Sequence, residues 1–175
     1  AKWNRSTRHA FRLTYLVAQI MADDLDSKDT RRLQRGYSFE NTLSEVSLGI
    51  EYTFWEFDLH EGTPAFAPYM YTGFTYTWYD ALRKTGTLFD PVGRETTYAI
   101  PMVLGLKKTL GTKFLVGLEV GARYSFTDAI DGSANVGNSE VNNVPFGDTT
   151  NNDWYVFTGV PFTYAFGRKP CYCNF

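Results

Sequence analysis

The sequence predicts an all-β protein: an eight-stranded antiparallel up-and-down transmembrane β-barrel, with its first strand or strands lacking from this chain. Apolar residues alternate with polar ones instead of recurring at helical spacing, which is typical of a strand with one dry face. The alternating segments exceed the roughly 5 to 6 residues of an ordinary strand and reach the roughly 9 to 11 that a tilted strand needs to cross a bilayer. Short and long connections alternate between them, as in outer-membrane barrels.

The clearest alternation lies in residues 113–128. Leu118 and Val120 fall on one face there, and Glu119 and Arg123 fall on the other. The same period predicts strands at 8–21, 43–54, 66–79, 96–109 and 154–166, and the end of a further strand at 1–4. Three of these strands contain proline, at Pro68, Pro101 and Pro161. Because proline removes a hydrogen bond from a strand ladder, each is expected to need a bulge or a local break.

The connections are sorted by length along the chain. Residues 5–7, 59–65 and 110–112 are predicted to be short turns, and residues 22–36, 81–93 and 129–152 are predicted to be longer loops. Bacterial barrels place tight turns on the periplasmic side and long loops outside the cell. The sequence therefore predicts a barrel domain at 1–166 in the outer membrane and a periplasmic C-terminal tail at 167–175.

Aromatic residues make up 17% of the chain. They gather near both predicted strand ends, which indicates the aromatic girdles of a membrane protein. The predicted girdle at the long loops comprises Tyr76, Trp78, Tyr79, Tyr98, Tyr124, Phe126 and Trp154. The one at the short turns comprises Trp3, Phe54, Trp55, Phe57, Phe66, Tyr69, Tyr164 and Phe166.

Closure of the barrel gives a further expectation. A free strand edge is unsatisfied in lipid, and bacterial single-chain barrels use even strand numbers, usually eight or more. Six strands and a fragment fall short of eight. At least one more strand is therefore expected before Ala1, together with a signal peptide.

Ionisable residues lie on the face predicted to point inward. They are Arg12, Glu45, Glu51, Lys107, Glu119 and Arg123. An eight-stranded barrel has interior room only for side chains. The pattern therefore favours a network of salt bridges that fills the lumen, and a narrow pore or proton path is the alternative.

The sequence gives no positive signal for other classes of function. A net charge of −2 lacks the basic footprint of a nucleic-acid-binding protein. His9 and His60 have no second ligand at metal spacing. We find no catalytic group, so the sequence predicts neither an enzyme nor a metal or other cofactor.

The C-terminus carries both cysteines, Cys171 and Cys173. A bond between two residues so close in sequence is strained, and the periplasm is oxidising. Three states stay open: a disulfide with a partner protein, a strained local disulfide, and reduced thiols.

Several motifs carry a resemblance to a known family. They are Lys2-Trp3-Asn4-Arg5 with Arg8-His9, residues 34–41, residues 99–102, residues 119–124 with 126–128, residues 152–157, and the ending Gly167-Arg168-Lys169-Pro170-Cys171-Tyr172-Cys173. Together they resemble the PorG-type outer-membrane β-barrels of the type IX secretion and gliding apparatus of Bacteroidota.

The resemblance implies a non-enzymatic outer-membrane component that anchors or positions a periplasmic ring. The ring would contain a lipoprotein of PorK or GldK type and a soluble partner of PorN or GldN type. Topology then places the contact surface at the short turns and the tail, where the cysteines are candidates for an intermolecular disulfide. The candidate partner-binding residues are His60, Glu61, Arg168, Lys169, Pro170, Cys171, Tyr172 and Cys173.

Two other functions remain open at this stage. One is a small passive outer-membrane pore or a stabilising barrel, which would conduct ions in planar bilayers. The other is a soluble, lipocalin-like carrier, which would turn its apolar face inward around a ligand.

Overall fold

A computed structural model describes residues 1–23, 25, 28, 30–35, 38–58, 65–85, 88–127, 130 and 152–166. The strands are β1 (Lys2–Asn4), β2 (His9–Asp23), β3 (Ser38–Thr53), β4 (Phe66–Thr85), β5 (Leu88–Leu110), β6 (Phe114–Ser125), β7 (Trp154–Gly159) and β8 (Phe162–Tyr164), and the short helix α1 (Thr30–Arg35) lies between β2 and β3. Within these ranges, none of the helical structure is long and apolar enough to cross a membrane.

The strands form one antiparallel, up-and-down sheet of eight, which confirms the predicted fold class. Each strand from β1 to β7 pairs with the next strand in sequence. β7 and β8 both pair with β6, one after the other, so they occupy a single position at the edge of the sheet. In the part of the chain that is described, the sheet is not closed into a full cylinder.

The hairpin of β4 and β5 is longer than predicted. The two strands have 20 and 23 residues, and their ladder continues to Thr85 and Leu88. The prediction of a long loop at 81–93 was therefore wrong. A shift in register between Ala81 and Leu82 lets the strands stay paired beyond the alternating segment. At about 3.3 Å per residue, these strands exceed what a bilayer needs.

The three prolines behave differently. Pro68 sits within the ladder opposite Leu106. Pro101 faces the interior, and the β4–β5 pairing is interrupted beside it, between Thr72 and Thr75. Pro161 separates β7 from β8, although its carbonyl still accepts a hydrogen bond from the amide of Gly117 at 2.9 Å. At Pro101 and Pro161, the amide hydrogen that proline lacks is thus accommodated by a gap in strand pairing, as expected. Pro68 stays in the ladder without such a gap.

The two faces of the sheet differ sharply in polarity. On β6, Leu118 and Val120 are 60% and 56% exposed, whereas Glu119 and Arg123 are only 7% and 2% exposed. Side chains on the inner face of β2 and β3 contact those of β6, which is not their neighbour in the sheet. The sheet is therefore curved around its polar face, and its apolar face points outward. The arrangement expected for a lipocalin-like carrier is the reverse.

The backbones of β3 and β4 approach each other closely near the middle of the sheet. Gly49 and Gly73 lie opposite each other on β3 and β4. A Cβ atom added at Gly49 would lie 2.1 Å from the carbonyl oxygen of Thr72. At the turn between β5 and β6, Gly111 has a φ of 76°, which glycine adopts at little cost.

Candidate functional site

Glu51 is the centre of one group of charged side chains inside the sheet. Its carboxylate is fully buried on β3. Lys2 Nζ lies 2.5 Å from one oxygen, and Lys107 Nζ lies 3.0 Å from the other. Arg12 approaches to 3.8 Å. Lys107 also donates to the hydroxyl of Thr53 at 2.8 Å, so β5 is joined to β3 across the intervening strand β4 on the concave face.

Glu119 extends this group onto β6. The guanidinium of Arg12 donates to both of its oxygens, at 2.5 and 3.1 Å, in the bidentate geometry that suits arginine and carboxylate. The hydroxyl of Tyr69 donates to the same carboxylate. Arg12 also lies over the ring of Tyr71, at 5.0 Å from its centroid. Glu51 and Glu119 therefore share Arg12. We use the name Glu51 cluster for five residues: Lys2, Arg12, Glu51, Lys107 and Glu119.

Glu45 and Arg123 form a second group nearer the middle of the sheet. Arg123 Nη2 lies 2.7 Å from Glu45 Oε1, and its Nε lies 3.2 and 3.3 Å from the two oxygens. The hydroxyl of Tyr155 donates to Glu45 Oε2 at 2.9 Å. The guanidinium also packs on the ring of Phe157 at 4.5 Å. The pair is thus shielded from solvent and hydrogen-bonded on several sides, as a buried ion pair must be to be tolerated.

Ile130 is buried at the end of the interior that faces the long loops. This residue, 2% exposed, packs with Leu43 and Tyr79. Its carbonyl accepts a hydrogen bond from the side-chain amide of Asn41 at 2.8 Å, and that amide also donates to the carbonyl of Asp80 at 2.9 Å. The buried Asn41 side chain thus ties Ile130 to the rim formed by β3 and β4.

The opposite end, toward the short turns, contains a cavity of about 730 Å³. β1, β2 and β8 line it, together with Lys107 and Glu119 from the Glu51 cluster. Among the described residues, the two ends of the interior therefore differ: Ile130 packs against Leu43 and Tyr79 at one end, and the cavity lies at the other.

All six residues of the predicted lumen network lie in these two groups. Sequence reasoning missed four further members, Lys2, Tyr69, Tyr71 and Tyr155. The signal was available, because Tyr69 and Tyr71 share the two-residue period of the inward residue Thr75. For the same reason the girdle prediction was wrong for Tyr69 and Tyr79, which are buried in the interior.

The remaining girdle residues include two sets of contacting rings. Tyr76 lies 4.7 Å from Trp78 and 5.3 Å from Tyr98, measured between centroids. Tyr124 contacts Trp154 at 4.9 Å. At the short-turn end the contacting pairs are Trp3–Phe11, Tyr52–Phe54, Phe114–Phe162 and Phe114–Tyr164.

The candidate partner-binding residues lie outside the described part of the chain. These are His60, Glu61, Arg168, Lys169, Pro170, Cys171, Tyr172 and Cys173. Their predicted role, including the pairing of the cysteines, stays a prediction. Among the residues that are described, no group of three or more His, Cys, Asp or Glu side chains is placed to hold a metal ion.

The fold and the site together define a curved, antiparallel, barrel-like sheet with an ion-paired interior and an apolar exterior. The chain belongs to the family described as a domain of unknown function, DUF6089, whose model matches residues 1–175. No curated protein and no solved structure matches the chain.

Proposed function

We propose that this protein is a non-enzymatic outer-membrane component of the type IX protein secretion system, which anchors or positions a periplasmic ring of lipoprotein and partner subunits. The observation that carries the membrane placement is the inverted polarity of the sheet. Leucine and valine side chains such as Leu118 and Val120 are more than half exposed, while Glu45, Glu51 and Arg123 are buried. Such a surface is stable where hydrocarbon surrounds it.

The aromatic side chains at the two ends of the sheet support the same placement. Tyrosine and tryptophan prefer the interface between hydrocarbon and water, because their rings are apolar and their polar atoms reach water. Tyr98 and Trp154 are both more than half exposed near the long loops, and Trp3 and Tyr164 are so near the short turns. Aliphatic side chains such as Leu104 occupy the outer face between them.

The ion-paired interior favours an anchor over a pore. The buried Arg123–Glu45 pair occupies part of the lumen, and Ile130 packs against Leu43 and Tyr79. A conducting channel would need a continuous water-filled path past these side chains. The barrel's contribution is then a surface embedded in the membrane, with its periplasmic side free to hold a partner.

The assignment to type IX secretion draws its support from the sequence resemblance. The motif at residues 119–124 falls on β6, where it supplies Glu119 and Arg123 to the two interior groups. Lys2 and Arg12 reach the same interior from the short-turn end. Three residues within the resembling motifs, Lys2, Glu119 and Arg123, thus form ion pairs in the interior.

Purification from the native outer membrane tests the proposal. An affinity tag placed within 131–151 would leave the short turns and the tail unaltered. We expect the protein in the outer-membrane fraction, and we expect detergent extracts to contain the ring lipoprotein and its soluble partner. Charge reversal by Arg168→Glu or by Lys169→Glu should reduce their recovery, and the matched single reversal Arg94→Glu, toward the long loops, should not.

Two results would contradict this assignment. Recovery of the barrel alone from mild detergent, with both ring proteins present in the same membranes, would remove the anchoring role. Steady single-channel conductance of the purified protein in a planar bilayer would favour the passive pore. Non-reducing electrophoresis with Cys171→Ser and Cys173→Ser variants separates a covalent partner from a local disulfide.

A further inference from the structure

Lys108 is a charged residue on the apolar outer face of β5. Its side chain is exposed, and so are those of Leu106 and Leu110, two positions before and after it on the same face. On the neighbouring strands, Phe66 of β4 and Val116 of β6 lie directly opposite Lys108. An ammonium group among such neighbours is costly unless it can leave the hydrocarbon or bind an anion.

The position of Lys108 lets its ammonium group reach the membrane surface. Lys108 precedes Leu110, the last residue of β5, by two positions, or about 7 Å of strand. Lysine side chains extend along apolar surface and place the ammonium group at the interface with water. The half-exposed indole of Trp55 lies at the same end of the sheet, where it donates to the carbonyl of Phe66 at 2.7 Å. Indoles prefer this interface, so the charge of Lys108 lies at the level of lipid headgroups.

A second cation lies at the same turn. Lys113 is exposed and directly precedes Phe114, which lies opposite Leu110 in the ladder. The backbone of Lys113 is held in place, because its carbonyl accepts a hydrogen bond from the amide of Ala165 at 2.7 Å. In the part of the chain that the structure describes, neither Lys108 nor Lys113 forms a salt bridge. The two ammonium groups therefore have no counter-charge among these residues.

The acidic side chains described at this end of the sheet lie elsewhere. Glu51 and Glu119 face the interior, where they bind the cations of the Glu51 cluster. Glu56 lies 3.7 Å from Arg8, and Asp58 lines the cavity beside β1 and β8. The outer surface of the β5–β6 hairpin thus has two positive charges and an apolar face beside them. This combination is complementary to a lipid that has a negative headgroup.

We propose that Lys108 and Lys113 bind the headgroup of one anionic phospholipid in the periplasmic leaflet, whose acyl chains lie against the outer face of β5. The site rests on the proposed membrane placement and deepens it. The two ammonium groups donate to the phosphodiester oxygens, since hydrogen bonds between charged groups are strong. The acyl chains contact Leu104 and Leu106, which are exposed on the outer face. These apolar neighbours favour a lipid over a free phosphate.

Quenching of tryptophan fluorescence by brominated lipids tests this site. The protein is refolded into phosphatidylcholine vesicles with a small fraction of brominated phosphatidylglycerol, and reference vesicles contain brominated phosphatidylcholine instead. A variant that keeps Trp55 and replaces Trp3, Trp78 and Trp154 by phenylalanine reports lipid near Phe66. We expect about 25-fold tighter binding of phosphatidylglycerol, since each lysine at a membrane surface contributes about fivefold. Native mass spectrometry of the unsubstituted protein, with both lipids at equal concentration, gives a second measurement of this preference.

Matched variants identify the two cations. Lys108→Met and Lys113→Met should each lower the preference for phosphatidylglycerol about fivefold, and the double variant should abolish it. Arg94→Met removes an exposed cation toward the long loops and should retain the preference. Soluble glycerol 3-phosphate should not displace the lipid, because it has no acyl chains to contact β5. Circular dichroism of each variant in vesicles confirms that the sheet has formed.

Three results would overturn the inference. They are equal binding of the two lipids by folded protein, a preference that survives the double variant, and loss of the preference in soluble glycerol 3-phosphate. The last result would indicate a site for a free anion. A chain that inserts into vesicles without any lipid preference contradicts this site and leaves the membrane placement intact. Co-purification of ring proteins does not enter the measurement, so the two proposals fail separately.

Discussion

Replacement of Arg123 by methionine should lower the free energy of unfolding by about 3 to 5 kcal/mol, the usual cost of leaving one partner of a buried ion pair uncompensated. Arg123 is the cation bonded to Glu45, and both side chains are at most 3% exposed. Methionine keeps most of the apolar stem and removes the guanidinium, together with its contact with the ring of Phe157. Glu45 would then keep the hydroxyl of Tyr155, which neutralises no charge.

Urea titration of the protein refolded into lipid vesicles measures this loss, and the four tryptophans provide the fluorescence signal. With a denaturant slope of about 2 kcal/mol per molar, the midpoint should fall by roughly 2 M. The double variant Arg123→Met with Glu45→Leu should recover to within about 1 kcal/mol, because a buried pair replaced by apolar residues is often neutral.

The control for this experiment is Arg94→Met. Arg94 lies 3.8 Å from Asp80, and its side chain is 66% exposed. An exposed pair of this kind contributes about 0 to 1 kcal/mol. Equal losses for Arg123→Met and Arg94→Met would refute the view that a buried ion pair stabilises the interior, and so would a double variant as unstable as the single one.

Three further substitutions test other parts of the structure. Val120→Lys, on the outer face, should cost about 2 to 4 kcal/mol in vesicles if that face meets hydrocarbon, and an effect near zero by the same urea titration would contradict the membrane placement. Gly49→Ala should sharply reduce refolded yield, because the new methyl group meets the carbonyl of Thr72, while Gly93→Ala, with open space around it, should refold normally. Ile130→Ala should cost about 2 to 5 kcal/mol, and a loss below 1 kcal/mol would show that this residue does not pack against Leu43 and Tyr79.

The two-residue alternation of apolar and polar residues predicted most of the fold. It placed β6 to within three residues at each end and separated Leu118 from Glu119 by face. It also identified six of the seven charged residues of the two interior groups, because an acid or a base in an alternating strand belongs to the polar face by parity alone. Lys2, in the short fragment at 1–4, was missed. Which base pairs with which acid depends on the curvature and stagger of the sheet, and a linear pattern does not contain them.

Two features of the fold could not be predicted from the sequence, for different physical reasons. Residues 81–93 contain two glycines and a proline and do not alternate, so nothing local indicated a strand. Pairing between β4 and β5 extends there because each strand supplies hydrogen bonds to the other. Ile130 has no periodic neighbours at all. Its position depends on Asn41, a residue 89 positions away in sequence, and such contacts are visible only once the sheet is folded.

The buried ion pairs also restrict how the strands can align. In a sheet, a slip of one residue moves every side chain to the opposite face. A slip of β3 would carry Glu45 and Glu51 to the outer surface and bring Leu48 into the lumen. Arg123 and Lys107, on β6 and β5, would then be buried without their acids. Because these pairs cross intervening strands, each one penalises a slip anywhere between its two ends. The same slip would turn the outer apolar side chains toward the lumen, so the buried ion pairs and the apolar face specify the same register.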